Sequence, residues 1–165
     1  MKKFLRFLLD VVEIVVCAFV ISFIITRLLF MSCEVDGRSM QPTLQDGQVG
    51  FSSIISRKIK INRFDIVVID QGEKLLVKRV IGMPNDEIVY EDNKLYINGE
   101  LLEDEYGYGI TNDFSIKLND DEYFCLGDNR EISRDSRYYG PFSGDKIMST
   151  HLIVISPLSD FGFKK

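Results

Sequence analysis

The feature that most limits what this chain can fold into is a break in its hydropathy at residue 31. Residues 1–31 hold 23 hydrophobic side chains, about three-quarters of that segment, and the other 134 residues hold 52. All 12 Gly and all 4 Pro lie after the break. Turn chemistry is therefore confined to the second part. The pattern predicts two units: an apolar N-terminal segment, 1–31, and one globular domain, 32–165. A domain of that size buries a real core but has no room for a second large one.

Within the first unit, Lys2, Lys3 and Arg6 precede the run Val11–Met31, whose only charges are Glu13 and Arg27. As a helix, that run spans about 31 Å, enough for a hydrocarbon core of about 30 Å. Its uncharged stretch, Ile14–Thr26, has only 13 residues. A span thus needs Glu13 and Arg27 near the two interfaces, with Arg27 snorkelling outward. The expectation is a single-pass anchor in the lipid bilayer, N-terminus cytoplasmic and domain 32–165 outside, as the basic start favours. A cleaved signal peptide shares that start. However, no small-x-small site follows, and Phe30-Met31-Ser32-Cys33 fits a lipoprotein cleavage site poorly. The flanking charges argue against a buried core helix.

The second unit reads as β. The whole chain has one Ala, Ala18, against 19 Ile and 13 Val, and a β-branched excess of this kind favours strands. Short β-like runs recur between turn signals at Cys33–Asp36, Gln48–Ser53, Asp65–Asp70, Lys74–Ile81, Glu87–Glu91, Lys94–Ile97, Phe114–Leu118, Glu122–Leu126 and Met148–Ser156. Asp92-Asn93 and Asn98-Gly99 read as hairpin turns. The expected fold is mainly β: one domain of twisted, partly closed antiparallel sheet, with a short helix near Ser53–Lys60. Glu103–Asn112 reads as a surface loop, and the acidic run Glu100–Glu105 and the pair Asp120-Asp121 as solvated turns.

Charge and cysteine usage narrow the function. Residues 32–165 carry 16 basic against 23 acidic side chains, a balance that suits no nucleic-acid partner. There is no Cys-x-x-Cys and only one His, His151, so no metal site and no cofactor is expected. His151 opens the run Leu152–Ile155 and reads as the edge of a strand, not as a catalyst. Whether Cys33 and Cys125 pair stays open.

Four local clusters hold the candidate chemistry. The first, Val35-Asp36-Gly37-Arg38-Ser39-Met40-Gln41-Pro42-Thr43-Leu44, sets a serine on a constrained turn. Alone, it reads equally as a cap. The second, Leu75-Leu76-Val77-Lys78-Arg79-Val80-Ile81-Gly82-Met83-Pro84, buries charge in an apolar strand. Leu76, Lys78 and Val80 share one face, and Val77, Arg79 and Ile81 the other, so one cation must be paired or desolvated. Desolvation lowers a lysine pKa, and a neutral amine can act as a general base. The third cluster is Gly127-Asp128-Asn129-Arg130 followed by Ser133, Asp135 and Arg137. Asp135 and Arg137 read by themselves as a surface ion pair worth at most about 1 kcal/mol. The fourth, Arg63-Phe64-Asp65-Ile66-Val67-Val68, looks structural.

Taken together and in this order after an apolar N-terminus, these clusters resemble the bacterial type I signal peptidases, in their short Gram-positive form. The resemblance covers nearly the whole chain. It implies a membrane-bound serine endopeptidase that cleaves signal peptides from exported preproteins with a Ser/Lys dyad. Carried over, Ser39 is the nucleophile and Lys78 the general base. Ser133 would bond the Lys78 amine, and Asp135 and Arg137 would brace that loop. Asp128 and Arg130 would be structural. Val35, Met40, Leu44 and Val77 match positions that line shallow substrate pockets, selecting small residues by exclusion. Relatives with Ser at position 37 gain an oxyanion donor, which Gly37 lacks. A signal-peptidase-like paralogue dedicated to pilins or other surface proteins is the alternative. A Ser/Lys autoprotease would need a cleavable arm where this chain has an apolar span.

Overall fold

The computed structural model describes residues 2–55 and 60–164. The chain divides into two compact units, Met1–Phe30 and Met31–Lys165, so the break lies one residue before the expected boundary.

The first unit is one helix, α1 (Lys2–Leu29). It has no Gly or Pro to break it. The stretch Arg6–Leu29 is long and apolar enough to cross a membrane. Every side chain from Arg6 to Leu28 is exposed. In water such a surface would be a liability; in hydrocarbon it is the required one, because a helix bonds all its interior backbone groups within itself.

The second unit is built from β1 (Phe30–Glu34), β2 (Val49–Ser53), β3 (Ile66–Asp70), β4 (Leu75–Gly82), β5 (Glu87–Glu91), β6 (Lys94–Ile97), β7 (Glu100–Leu102), β8 (Phe114–Lys117), β9 (Glu122–Leu126), α2 (Ser136–Tyr139), β10 (Phe142–Ser143), β11 (Ile147–Ser156) and β12 (Gly162–Lys164). One sheet has the order β1-β2-β11-β3-β4-β9-β10, with β12 paired to β11; the other has the order β7-β6-β5-β8. The ladders β11–β2, β11–β3, β3–β4 and β4–β9 are antiparallel, as are all three ladders of the smaller sheet. Asp92 and Asn93 both have positive φ, as do Asn98 and Gly99, which is the conformation two-residue hairpins need.

Eight of the nine expected strands agree with the structure within a residue. The exception is Cys33–Asp36: strand β1 runs Phe30–Glu34 and neighbours β2 in the sheet. The run Glu100–Glu105 is not all solvated turn, since Glu100–Leu102 forms the edge strand β7. Strands β10 and β12 and helix α2 are too short to leave a periodic signal. Ser53 ends β2, Ile54 and Ile55 form a turn, and residues 56–59 of the expected helix lie outside the described residues.

Strand β3 is central, and its residues Ile66 to Ile69 are all buried. Val67 and Ile69 join Leu76, Val80, Cys125 and Ile147 in one apolar cluster. Ile66 belongs to another, with Val35, Met40, Leu44, Leu152 and Val154. Residue 78 therefore lies on the face of β4 between two members of a packed core, Leu76 and Val80.

Candidate active site

Ser39 sits in the loop between β1 and β2. The base of this loop is tied by Val35 N to Gln48 O (2.8 Å) and Gly47 N to Val35 O (2.8 Å). Asp46 Oδ1 accepts the Gly37 N–H at 2.8 Å, where the backbone turns through φ 90°. Met40 and Leu44 are buried on either side of the Gln41–Pro42 turn and anchor it in the core. The serine is half-buried, and its backbone N–H donates to no group among the described residues.

Lys78 comes from β4 and is 4% exposed. Its Nζ lies 2.8 Å from Ser39 Oγ and 2.9 Å from Val77 O. Burial lowers the lysine pKa from 10.5 to about 8, against the opposing pull of the Asp135 charge. The neighbouring cation meets the opposite fate. Arg79 is fully buried but paired, with Nε 2.8 Å from Asp128 Oδ1 and Nη2 2.7 Å from Asp128 Oδ2. Its guanidinium also stacks 3.7 Å over the Tyr106 ring. The alternation required one cation of the strand to be paired or desolvated. The fold does one of these to each: the guanidinium is paired with a carboxylate, and the amine, with none bonded to it, is desolvated.

The Gly127–Arg130 turn braces both residues. Thr43 Oγ1 donates to Asp128 Oδ2 (2.6 Å), and Asn129 N donates to Ser39 O (3.0 Å), so this turn grips the serine loop at two points. A Cβ on Gly127 would fall 2.3 Å from Ser133 Oγ and 2.5 Å from Ser39 O, so only glycine fits. Arg130 pairs with Asp104, which takes that residue out of the solvated run expected for Glu100–Glu105. The Glu103–Asn112 loop is also less free than its composition suggests, because Tyr108 exchanges backbone bonds with Asp128 and Arg130.

Asp135 is fully buried, so the surface-pair reading does not hold. Arg137 Nε and Nη2 each lie 2.8 Å from its carboxylate, and Gly127 N donates to it at 3.0 Å. Burial by itself would raise this carboxyl; the Arg137 and Gly127 hydrogen bonds and the guanidinium charge overcome that and hold it below the ordinary range. Ser133 departs from expectation. The Lys78 amine bonds Ser39 and Val77, and Ser133 Oγ, though buried, makes no hydrogen bond to it.

The four expected pocket residues come together in one apolar cluster, but unequally. Val35, Met40 and Leu44 are buried within it, whereas Val77 is half-buried and packs against it beside Cys33. His151 lies within β11, not at its edge: its φ is 62°, at a shift in register with β2, and its ring bonds Thr150 Oγ1 (2.7 Å). Cys33 and Cys125 are free thiols in different clusters, and burial pushes both up, Cys33 to about 11. Among the described residues, no group of three or more His, Cys, Asp or Glu side chains is placed to hold a metal ion.

Sequence reasoning missed Thr43, Asp104 and Tyr106, which are far from their partners along the chain. The buried Arg79 was the available signal, since a guanidinium inside a strand demands a carboxylate somewhere.

The chain is also similar to known proteins. The family model described as signal peptidase, peptidase S26, matches residues 8–155. A signal peptidase I of Bacillus amyloliquefaciens is 36% identical, covering 92% of this chain and 90% of its own. Signal peptidase IB of Staphylococcus aureus is 32% identical over 94% and 93% of the two chains. The crystal structure of a signal peptidase I from Enterococcus faecalis superposes with a TM-score of 0.51 at 31% identity, covering 55% of this chain and 96% of that one.

Proposed function

We propose that this chain, which belongs to the signal peptidase family, peptidase S26, cleaves with Ser39 as nucleophile and Lys78 as general base. It is a serine endopeptidase that removes signal peptides from preproteins. The observation that carries the assignment is the 2.8 Å approach of a buried lysine amine to a serine hydroxyl. A serine oxygen is a weak nucleophile until a base takes its proton, and an amine is a base only when neutral. Burial at Lys78 serves that end.

In the proposed sequence, neutral Lys78 accepts the Ser39 proton as Oγ attacks the scissile carbonyl. The Ser39 N–H, which has no acceptor among the described residues, faces the developing oxyanion. The ammonium then protonates the leaving amine, and neutral Lys78 activates the water that releases the acyl group. The Arg79–Asp128 and Arg137–Asp135 pairs hold the serine loop and the Gly127 turn in register. Val77, half-buried over the apolar cluster, forms the accessible floor for the small side chains before the cut, with Val35, Met40 and Leu44 beneath it.

The uncovered apolar surface of Arg6–Leu29 supports a protein held in the bilayer by this helix. The basic residues Lys2, Lys3 and Arg6 support a cytoplasmic N-terminus, which would leave the catalytic unit, 32–165, on the far side where preproteins emerge. Nothing in the site favours pilins over other exported substrates.

The test is cleavage of a preprotein by the full chain in detergent. Ser39→Ala and Lys78→Ala are each expected to lose at least about a thousandfold in kcat, with circular dichroism unchanged. Retention of wild-type cleavage by either variant would overturn the assignment.

A further inference from the structure

The loop that carries Ser39 is held at both ends by one buried residue that the reaction argued above does not use. Gln48 is 2% exposed. Its backbone carbonyl accepts the Val35 N–H at 2.8 Å, on the arm that leads into the serine. Its side-chain Oε1 accepts the Gln45 N–H at 3.0 Å, on the arm that leads away. Gln48 N also donates to Gln45 O (3.3 Å), so the turn 45–48 is closed twice.

From Gln45 the amides continue toward the serine. Gln45 Nε2 donates to Pro42 O, and Gln41 Nε2 to Gln45 Oε1, both at 3.0 Å. Gln41 N donates to Arg38 O at 3.2 Å. A series of hydrogen bonds therefore runs from Gln48 to the residue next to Ser39.

The group that orients this buried amide comes from the far end of the chain. Gln48 Nε2 donates to Asp160 Oδ2 at 2.6 Å. Asp160 is half-buried and ends the short turn Leu158–Asp160, where its own N–H bonds Pro157 O at 3.0 Å. That turn joins β11 to β12, and these two strands pair with each other, so the carboxylate is carried on a fixed piece of sheet. A buried amide costs free energy unless its donor and acceptor ends are both bonded. A carboxylate only accepts, so it takes the NH2 end of Gln48 and leaves the oxygen for Gln45. Asp160 thereby sets which way the amide faces.

We infer that Gln48 and Asp160 are positioning residues for the nucleophile: the C-terminal turn holds the Ser39 loop in register through this series of amides. The inference rests on Ser39 being the nucleophile. Neither residue bonds Ser39 or Lys78, so their loss should act on kcat through the placement of the serine, and should spare KM and the pH midpoint of activity.

The test is preprotein cleavage by the full chain in detergent, at a temperature where circular dichroism shows each variant folded. Asp160→Ala removes the acceptor. Gln48→Glu keeps an acceptor for Gln45 but sets one carboxylate against another. Each is expected to lower kcat roughly tenfold, as a displacement of under about 1 Å allows, with KM within about twofold of wild type. Gln48→Glu combined with Asp160→Asn exchanges donor and acceptor, so the bond re-forms in the reverse sense and kcat should return to within about threefold of wild type. A merely structural pair would change the melting temperature and leave kcat of the folded enzyme alone. Wild-type kcat in either single variant, a loss that falls on KM, or a double variant no better than Gln48→Glu would overturn the inference. Cleavage by Ser39→Ala would instead overturn the assignment of the nucleophile, whatever the other variants do.

Discussion

Replacing Lys78 by methionine separates the stability of this fold from its chemistry. Methionine has about the length of the lysine stem and carries no charge, so it suits the place between Leu76 and Val80. In the folded chain the amine titrates at about 8 instead of 10.5. Between those values the unfolded chain holds a proton that the folded chain lacks, so stability rises with pH across that window. Below pH 8 the full cost applies, about 3 kcal/mol at pH 7. By pH 9.5 it has fallen to about 1 kcal/mol. Relative to Lys78→Met, the wild type should therefore gain about 2 kcal/mol between pH 7 and pH 9.5. The Lys78→Met variant forfeits the bonds to Ser39 Oγ and Val77 O at every pH, so that loss cancels in the comparison. Urea unfolding of both full-length proteins in detergent, followed by tyrosine near-ultraviolet circular dichroism, measures the difference. An offset between the two proteins that is equal at both pH values would refute the reasoning, because a lysine with its ordinary pKa contributes no such slope.

The same pKa sets activity. The neutral fraction of Lys78 rises from about a tenth at pH 7 to about nine-tenths at pH 9, so kcat/KM on a preprotein should climb roughly ninefold over that interval, and a flat profile would exclude Lys78 as the titrating base. Asp128→Asn strands a fully buried guanidinium and should cost about 3–5 kcal/mol by urea unfolding, whereas Arg79→Met with Asp128→Leu should recover much of it. Gly127→Ala forces a methyl against Ser39 O and should lower kcat at least about tenfold, through displacement of the nucleophile, with Lys78 and Ser39 both still present. Asp135→Asn leaves Arg137 partly unpaired beside the site and removes a negative charge that raises the Lys78 pKa, so the activity profile should move to lower pH.

The apolar helix, the strand list and the candidate residues could be read in the sequence for different reasons. Hydropathy is a local property, so an apolar helix ending near residue 31 could be read, although it begins at Lys2, nine residues before the expected run Val11–Met31. Strand alternation and the turn pairs Asp92-Asn93 and Asn98-Gly99 are also local, and they set most of the ladders. Ser39 and Lys78 stood out through a resemblance carried by several residues each, since a serine on a turn or a lysine in a strand means little alone.

Tertiary structure decided how each charge is treated. Lys78 and Arg79 are neighbours in sequence and are both buried, yet one is desolvated beside a serine and the other is paired with a carboxylate. The difference is Asp128, 49 residues from Arg79 along the chain and 2.7 Å away in space. Asp135 is structural and not a surface partner because Gly127 and Arg137 enclose it. The buried state of Met40 and Leu44 and the burial of Asp135 likewise follow from chain segments that meet only when the sheets close. Local pattern specifies elements because its forces act over a few residues. A desolvated charge answers to whatever lies within a few ångströms, and only the closed fold determines that.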